Sequence, residues 1–104
     1  MDINADRLDW NHLRAFLATA EQASLSAGAR RLGLTQPTLS RQVAALEEAL
    51  DLLLFDRVGR GLVLTEAGRE LLAHVQQMGM AAHRASIAAQ GQKSDGVDVL
   101  PWST

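Results

Sequence analysis

The chain has 104 residues, 12 acidic and 10 basic side chains, a formal net charge of −2 and no cysteine. That length admits one small domain with an appendage, and the missing cysteines exclude a disulfide framework or a thiolate metal site and favour a cytoplasmic setting. No apolar run predicts a membrane helix, the acidic start MDINADRLD lacks the basic, apolar layout of a signal peptide, and a net-acidic chain binds nucleic acid only if its positive charge is gathered on one face.

Trp10, Leu13, Phe16, Leu17 and Ala20 recur at three- and four-residue spacings, which predicts an amphipathic first helix from Trp10 to about Ala23, capped by Asp9. A second, shorter helix is expected from Ser26, read as its cap, to Leu32. Gly33 follows at the position that commonly turns left-handed and ends a helix. Thr35 then caps a third helix running to about Leu50, Pro37 falls in its first turn, and Leu34 and Leu39 stand where a hydrophobic staple forms. Leu39, Val43, Leu46 and Leu50 make the inner stripe of that helix, and Ala29 is small enough for the second helix to press against it. Two helices joined so tightly across residues 25–44 form a helix-turn-helix.

Two apolar runs follow, Leu52–Phe55 and Leu62–Leu64, flanking a turn with glycine and arginine; they read as a hairpin spanning residues 52–65, a wing. Thr65 caps a last helix expected from Glu66 to about Gln90, roughly 37 Å long. Along it Leu71, Val75, Met78, Ala82, Ala85 and Ala89 step by four and three, the spacing of a coiled-coil seam, so this stripe is the expected dimerisation surface; the alternative is that Leu71, Leu72 and Val75 cover the small core while the alanine-rich remainder frays. Gly79 weakens that helix, and residues 91–104 read as a linker or an unpaired strand. The expected fold is therefore mainly α: a winged helix-turn-helix over residues 8–67, then a dimerisation helix over 66–90.

Between Leu25 and Gln42 there are three arginines and no acidic residue, whereas Asp2, Asp6 and Asp9 lie before this stretch and Glu47, Glu48 and Asp51 after it. On a helical wheel the side opposite the apolar stripe carries Pro37, Arg41, Ala44 and Glu48, flanked by Thr38, Ser40 and Ala45. Gln36 suits the N6/N7 edge of adenine and Arg41 the O6/N7 edge of guanine, while Thr38 and Ser40 suit base edges or phosphate. With Pro37 at the contact, these are the expected base-reading residues. Ser26, Arg30, Arg31 and Thr35 on the motif, with Arg57 and Arg60 on the wing, are the expected backbone contacts, Arg60 ranking first because glycines flank it at the tip; Asp56 alternatively ties one of the wing arginines back to the protein.

The segments NHLRAFLATAE, ARRLGLTQPTLSRQVAALEEAL and LFDRVGRGLVLTEAG, with the Leu71–Leu72 pair, closely resemble the N-terminal domain of LysR-type transcriptional regulators over about three-fifths of the chain. The resemblance implies a winged helix-turn-helix that binds double-stranded DNA as a homodimer, or as a pair of dimers, with Gln36, Pro37, Ser40 and Arg41 facing the major groove and the wing arginine near the minor groove. It also implies a C-terminal effector domain of periplasmic-binding-protein type. GVDVL, residues 96–100, would start that domain, so no small-molecule effector site, cofactor or metal is expected in this chain. Three positions depart from the family pattern: Gly28 for a usual alanine, Asp51 for the glycine that ends the recognition helix, and Val63 at a wing position often basic.

Other function classes fare worse. His12, His74 and His83 lack carboxylate partners at ligand spacing, and Ser24, Ser26 and Ser40 sit in capping or helix-face contexts rather than a nucleophile elbow, so no enzyme is expected. The competing reading is a truncated dimerisation module that pairs with full-length regulators and blocks them.

Overall fold

The computed structural model describes residues 8–59 and 61–96. Four helices and one hairpin follow in the order α1 (Trp10–Gln22), α2 (Leu25–Leu32), α3 (Gln36–Leu50), β1 (Phe55–Val58), β2 (Gly61–Leu64) and α4 (Glu66–Gly96). No described helix is long and apolar enough to cross a membrane.

The first three helices end in the same way. Ala23, Gly33 and Asp51 each adopt the left-handed conformation, with φ of 54°, 68° and 55°. At each, two backbone N–H groups reach back to the last turn: Ser24 N to Thr19 O, Leu34 N to Ala29 O and Leu52 N to Glu47 O make the longer loop of the pair. These are Schellman closures, which satisfy carbonyls the helix leaves free and reverse the chain within two residues. Only the middle one uses glycine.

The closure at Ala23 corrects the expected start of α2. Ser24 leaves it in extended conformation, and its hydroxyl accepts the N–H of Ala27, so Ser24 is the cap and Ser26 lies inside the first turn. Asp9 and Thr35 cap α1 and α3 as expected, accepting from Asn11 N and Thr38 N.

The core has two lobes. Leu13 and Phe16 of α1, Leu46 of α3, Leu54 and Val75 of α4 form one; Ala15, Ala29, Leu39 and Val43 form the other, with Leu34 packed against this second lobe. Phe55 touches both lobes and stacks its ring on that of Phe16, centroids 5.4 Å apart and tilted by 52°. The base of the hairpin is thus pinned to α1.

The hairpin itself is antiparallel, pairing Phe55 with Leu64 and Val58 with Gly61 across a two-residue loop in which Gly59 has φ 60°. Its first strand lies three residues further along the chain than the expected Leu52–Phe55. Leu52 and Leu53 are exposed, and the backbone of Leu53–Phe55 bonds to side chains and to Thr65 before the ladder begins.

Helix α4 is also longer than expected. It continues through Gln90 to Gly96, so the first six residues of the expected linker are helical, while residues 97–104 lie outside the described residues.

Candidate nucleic-acid interface

Helix α3 shows two different sides. Leu39, Val43 and Leu46 are buried, while Gln36, Pro37, Arg41, Ala44 and Glu48 are exposed and Thr38 and Ser40 half-buried. The apolar side is consumed by α1 and α2, and the opposite side is left to solvent with a guanidinium, an amide and two hydroxyls on it. The five residues expected to read bases therefore lie on or beside the open side of one helix.

The first turn of α3 is internally bonded. Thr35 caps the helix, and its hydroxyl also donates to Thr38 Oγ1 at 2.9 Å. Arg41 Nη2 donates to that same Oγ1 at 3.3 Å. A hydroxyl oxygen has two lone pairs, so Thr38 keeps only its own O–H to offer a ligand, and it holds the Arg41 guanidinium along the outer face.

The wing approaches α3 from the side. Arg57 and Phe55 share one face of β1, and Arg57 pairs with Leu62 across the ladder. A polar cleft of about 260 Å³ is lined by Ser24 and Ser26 at the start of α2, Gln36 at the start of α3, and Arg57, Gly59 and Gly61 on the wing. Arg57 also borders a second cleft of about 220 Å³ with Ser40 and Ala44. Two of the expected backbone contacts, Ser26 and Arg57, are brought together with Gln36, one of the expected base-reading residues. Arg60 lies outside the described residues, and Arg57 forms no ion pair with Asp56 among them.

Arg30 is exposed on α2. Arg31 has a partner on another helix. Its Nη1 sits 2.9 Å from Glu21 Oε1 of α1, and both side chains line a groove toward Gly79, Met80 and His83 of α4. The ion pair turns it toward α4. The sequence held no cue for that pairing, because the partners are ten residues apart on different helices.

Of the six seam residues, Val75 is fully buried in the domain's own core and Leu71 is half-buried against it. Val75 is therefore corrected as a dimer-forming residue, because the small domain uses it itself, while Leu71 keeps part of its surface open. Met78 is 44% exposed, and Ala82, Ala85 and Ala89 are exposed with every other described side chain from Met80 to Lys93.

A helix-turn-helix with a hairpin wing and a long trailing helix defines a winged DNA-binding class of fold. Residues 10–69 match the model of the bacterial regulatory helix-turn-helix protein, lysR family, and the chain belongs to that family. It is 54% identical over 65 residues to an uncharacterised HTH-type transcriptional regulator from the ibpB-leuC intergenic region of Azotobacter vinelandii, a match covering 62% of this chain and 45% of that protein. Among solved structures, the BenM DBD in its complex with catB site 1 DNA superposes with a TM-score of 0.76 at 29% identity, covering 84% of this chain and 97% of that one. The CbnR DBD–DNA complex gives a TM-score of 0.71 at 32% identity, covering 83% and 99%. The chain spans less than half the length of the curated relatives it matches first.

Proposed function

We propose that this chain is the DNA-binding part of a LysR-type transcriptional regulator, acting in the cytoplasm on double-stranded DNA as a homodimer rather than by catalysis. The observation that carries the reading is the open side of α3, where Gln36, Thr38, Ser40 and Arg41 stand together on its first turns, with Glu47 and Glu48 only toward its far end, while the opposite stripe is buried. Two solved relatives of the same fold are DNA complexes, which supports double-stranded DNA as the ligand. In this reading Gln36 and Arg41 read base edges in the major groove, and Ala44 and Ala45 let the backbone come close. Ser26, Arg30, Thr35 and Arg57 hold phosphates on either side.

Homodimerisation is assigned to the part of α4 beyond its own core. Met78, Ala82, Ala85 and Ala89 lie on one side of a helix and are exposed among the described residues, and a paired copy would cover that side.

Gel-shift titration against a duplex library tests the reading. The wild type discriminates among sequences, and Arg41→Ala or Gln36→Ala loses about 1–3 kcal/mol at the base each one reads, with helical circular dichroism unchanged. Arg57→Ala weakens binding evenly across sequences and lowers the salt slope by about one. Selectivity unchanged in the α3 variants overturns the base-reading assignment.

A further inference from the structure

One acidic side chain near the end of α3 is in the wrong place for a helix. Glu47 lies in the last turns, where free carbonyls already carry negative partial charge and a carboxylate is disfavoured. Its Oε2 accepts the N–H of Leu54 at 2.8 Å and that of Phe55 at 3.3 Å, so the carboxylate is occupied by the segment that leads into the wing.

The same segment is held from the other side by the root of α4. Thr65 N donates to Leu54 O at 3.0 Å, the Thr65 hydroxyl donates to Leu53 O at 2.6 Å, and Gly68 N donates to Thr65 Oγ1 at 3.0 Å. A methyl group on Gly68 would run into the Leu54 carbonyl, so the helix and the segment touch main chain to main chain. The Leu54 side chain is fully buried with Leu46 of α3 and Val75 of α4. Helix α4 otherwise packs on α1 and β2, and α3 on α1 and α2. The angle between α3 and α4 is therefore fixed through α1 and through this joint.

We infer that Glu47 is a positioning residue that sets the separation and rotation of the two α3 helices in a dimer, and so the half-site spacing the protein accepts. The inference rests on the proposed homodimer and DNA contact. Its logic is a lever: α3 meets DNA, the far span of α4 meets the second copy, and Glu47 with Thr65 clamps the junction between them. One base pair of added spacing moves a half-site by about 3.4 Å and turns it by about 35°, so a stiff joint discriminates between neighbouring spacings.

The test uses the full chain and a half-site recovered from a random duplex library with wild-type protein. Synthetic duplexes carry two copies of that half-site, with spacing stepped one base pair at a time. Wild type is expected to prefer one spacing by about tenfold or more over its neighbours. Glu47→Ala is expected to fall below about threefold while its affinity for a single half-site stays within about twofold of wild type; Glu47→Gln, whose amide oxygen still accepts both N–H groups, retains the preference. Amide exchange at Leu54 and Phe55 rises in the alanine variant alone.

Unchanged spacing preference in Glu47→Ala overturns the inference, as does a parallel loss of single half-site affinity, which marks a merely structural role. Sedimentation separates the two layers of the argument. A wild-type dimer with no spacing preference refutes the joint and leaves the dimer standing, whereas a wild-type monomer removes the dimer and the inference together.

Discussion

The two halves of α4 differ more than any other two regions of this molecule. Its root carries Val75, with no exposed surface, and half-buried Leu71 and Leu72. From Met80 to Lys93 every described side chain is exposed. The apolar seam runs unbroken through both halves in the sequence, yet its first part belongs to the domain's core and only the rest is free to meet a partner. Periodicity reports that a side will be covered, and it is silent on whether the cover is the same chain or another one.

Charged substitutions break that comparison most sharply. Val75→Glu buries a carboxylate among Leu13, Phe16, Leu46 and Leu54 without a partner, which costs about 3 kcal/mol or more and removes most of a small domain's stability; thermal melting by circular dichroism should show it. Met78→Glu, on a residue 44% exposed, should leave the melting of the wing and α1–α3 within about 0.5 kcal/mol of wild type and yield monomers in sedimentation. Freed of its partner, the span from Met80 onward also loses helical ellipticity, since a helix without tertiary cover is marginal in water. Ile87, 55% exposed, stands about half a turn round from Met78, so Ile87→Glu reports which side of α4 the partner takes. Dimers that survive Met78→Glu and fail with Ile87→Glu would move the interface off the predicted seam.

Much of the front of the molecule was legible because its rules are local. A cap, a staple, a left-handed glycine and a three-four stripe each involve residues within one or two turns, and together they placed α3 and its open side correctly. What escaped were one abrupt chain reversal and features decided by residues distant in sequence. Ser24 displaced Ser26 as cap because Ala23 closes α1 immediately before it. The first wing strand shifted because Glu47 and Thr65 take the backbone groups of Leu53–Phe55. Arg31 pairs with Glu21 across two helices, a contact that no local rule signals.

The three helix endings offer a gentler contrast, between Gly33 and the two non-glycine residues in the same left-handed conformation. An alanine there suffers crowding of its Cβ against the carbonyl, so Ala23→Gly should gain about 1 kcal/mol and raise the melting temperature by about 4–8 °C. Asp51→Gly should gain a similar amount by two routes, relief of the backbone and removal of a negative charge from the C-terminus of α3. Asp51→Asn separates them, because asparagine tolerates the conformation and lacks the charge; about half the gain is expected from it. If Ala23→Gly destabilises instead, the turn into α2 is rigid for a reason other than its backbone geometry.

The smallest expected effect sharpens the distinction between the DNA-facing side and the α4-facing side. Arg31 and Arg57 are both exposed arginines, but one is bonded to Glu21 beside α4 and the other borders the cleft that holds Gln36. An exposed ion pair contributes about 0–1 kcal/mol, so Arg31→Ala should shift stability only slightly. It should leave both DNA affinity and the salt slope unchanged, because Glu21 holds that guanidinium beside α4. Arg57→Ala, with the same change in net charge, should lower the slope by about one. Equal slopes in the two variants would mean that DNA senses the overall charge of the domain, and that the placement of Arg57 beside α3 carries no special contact.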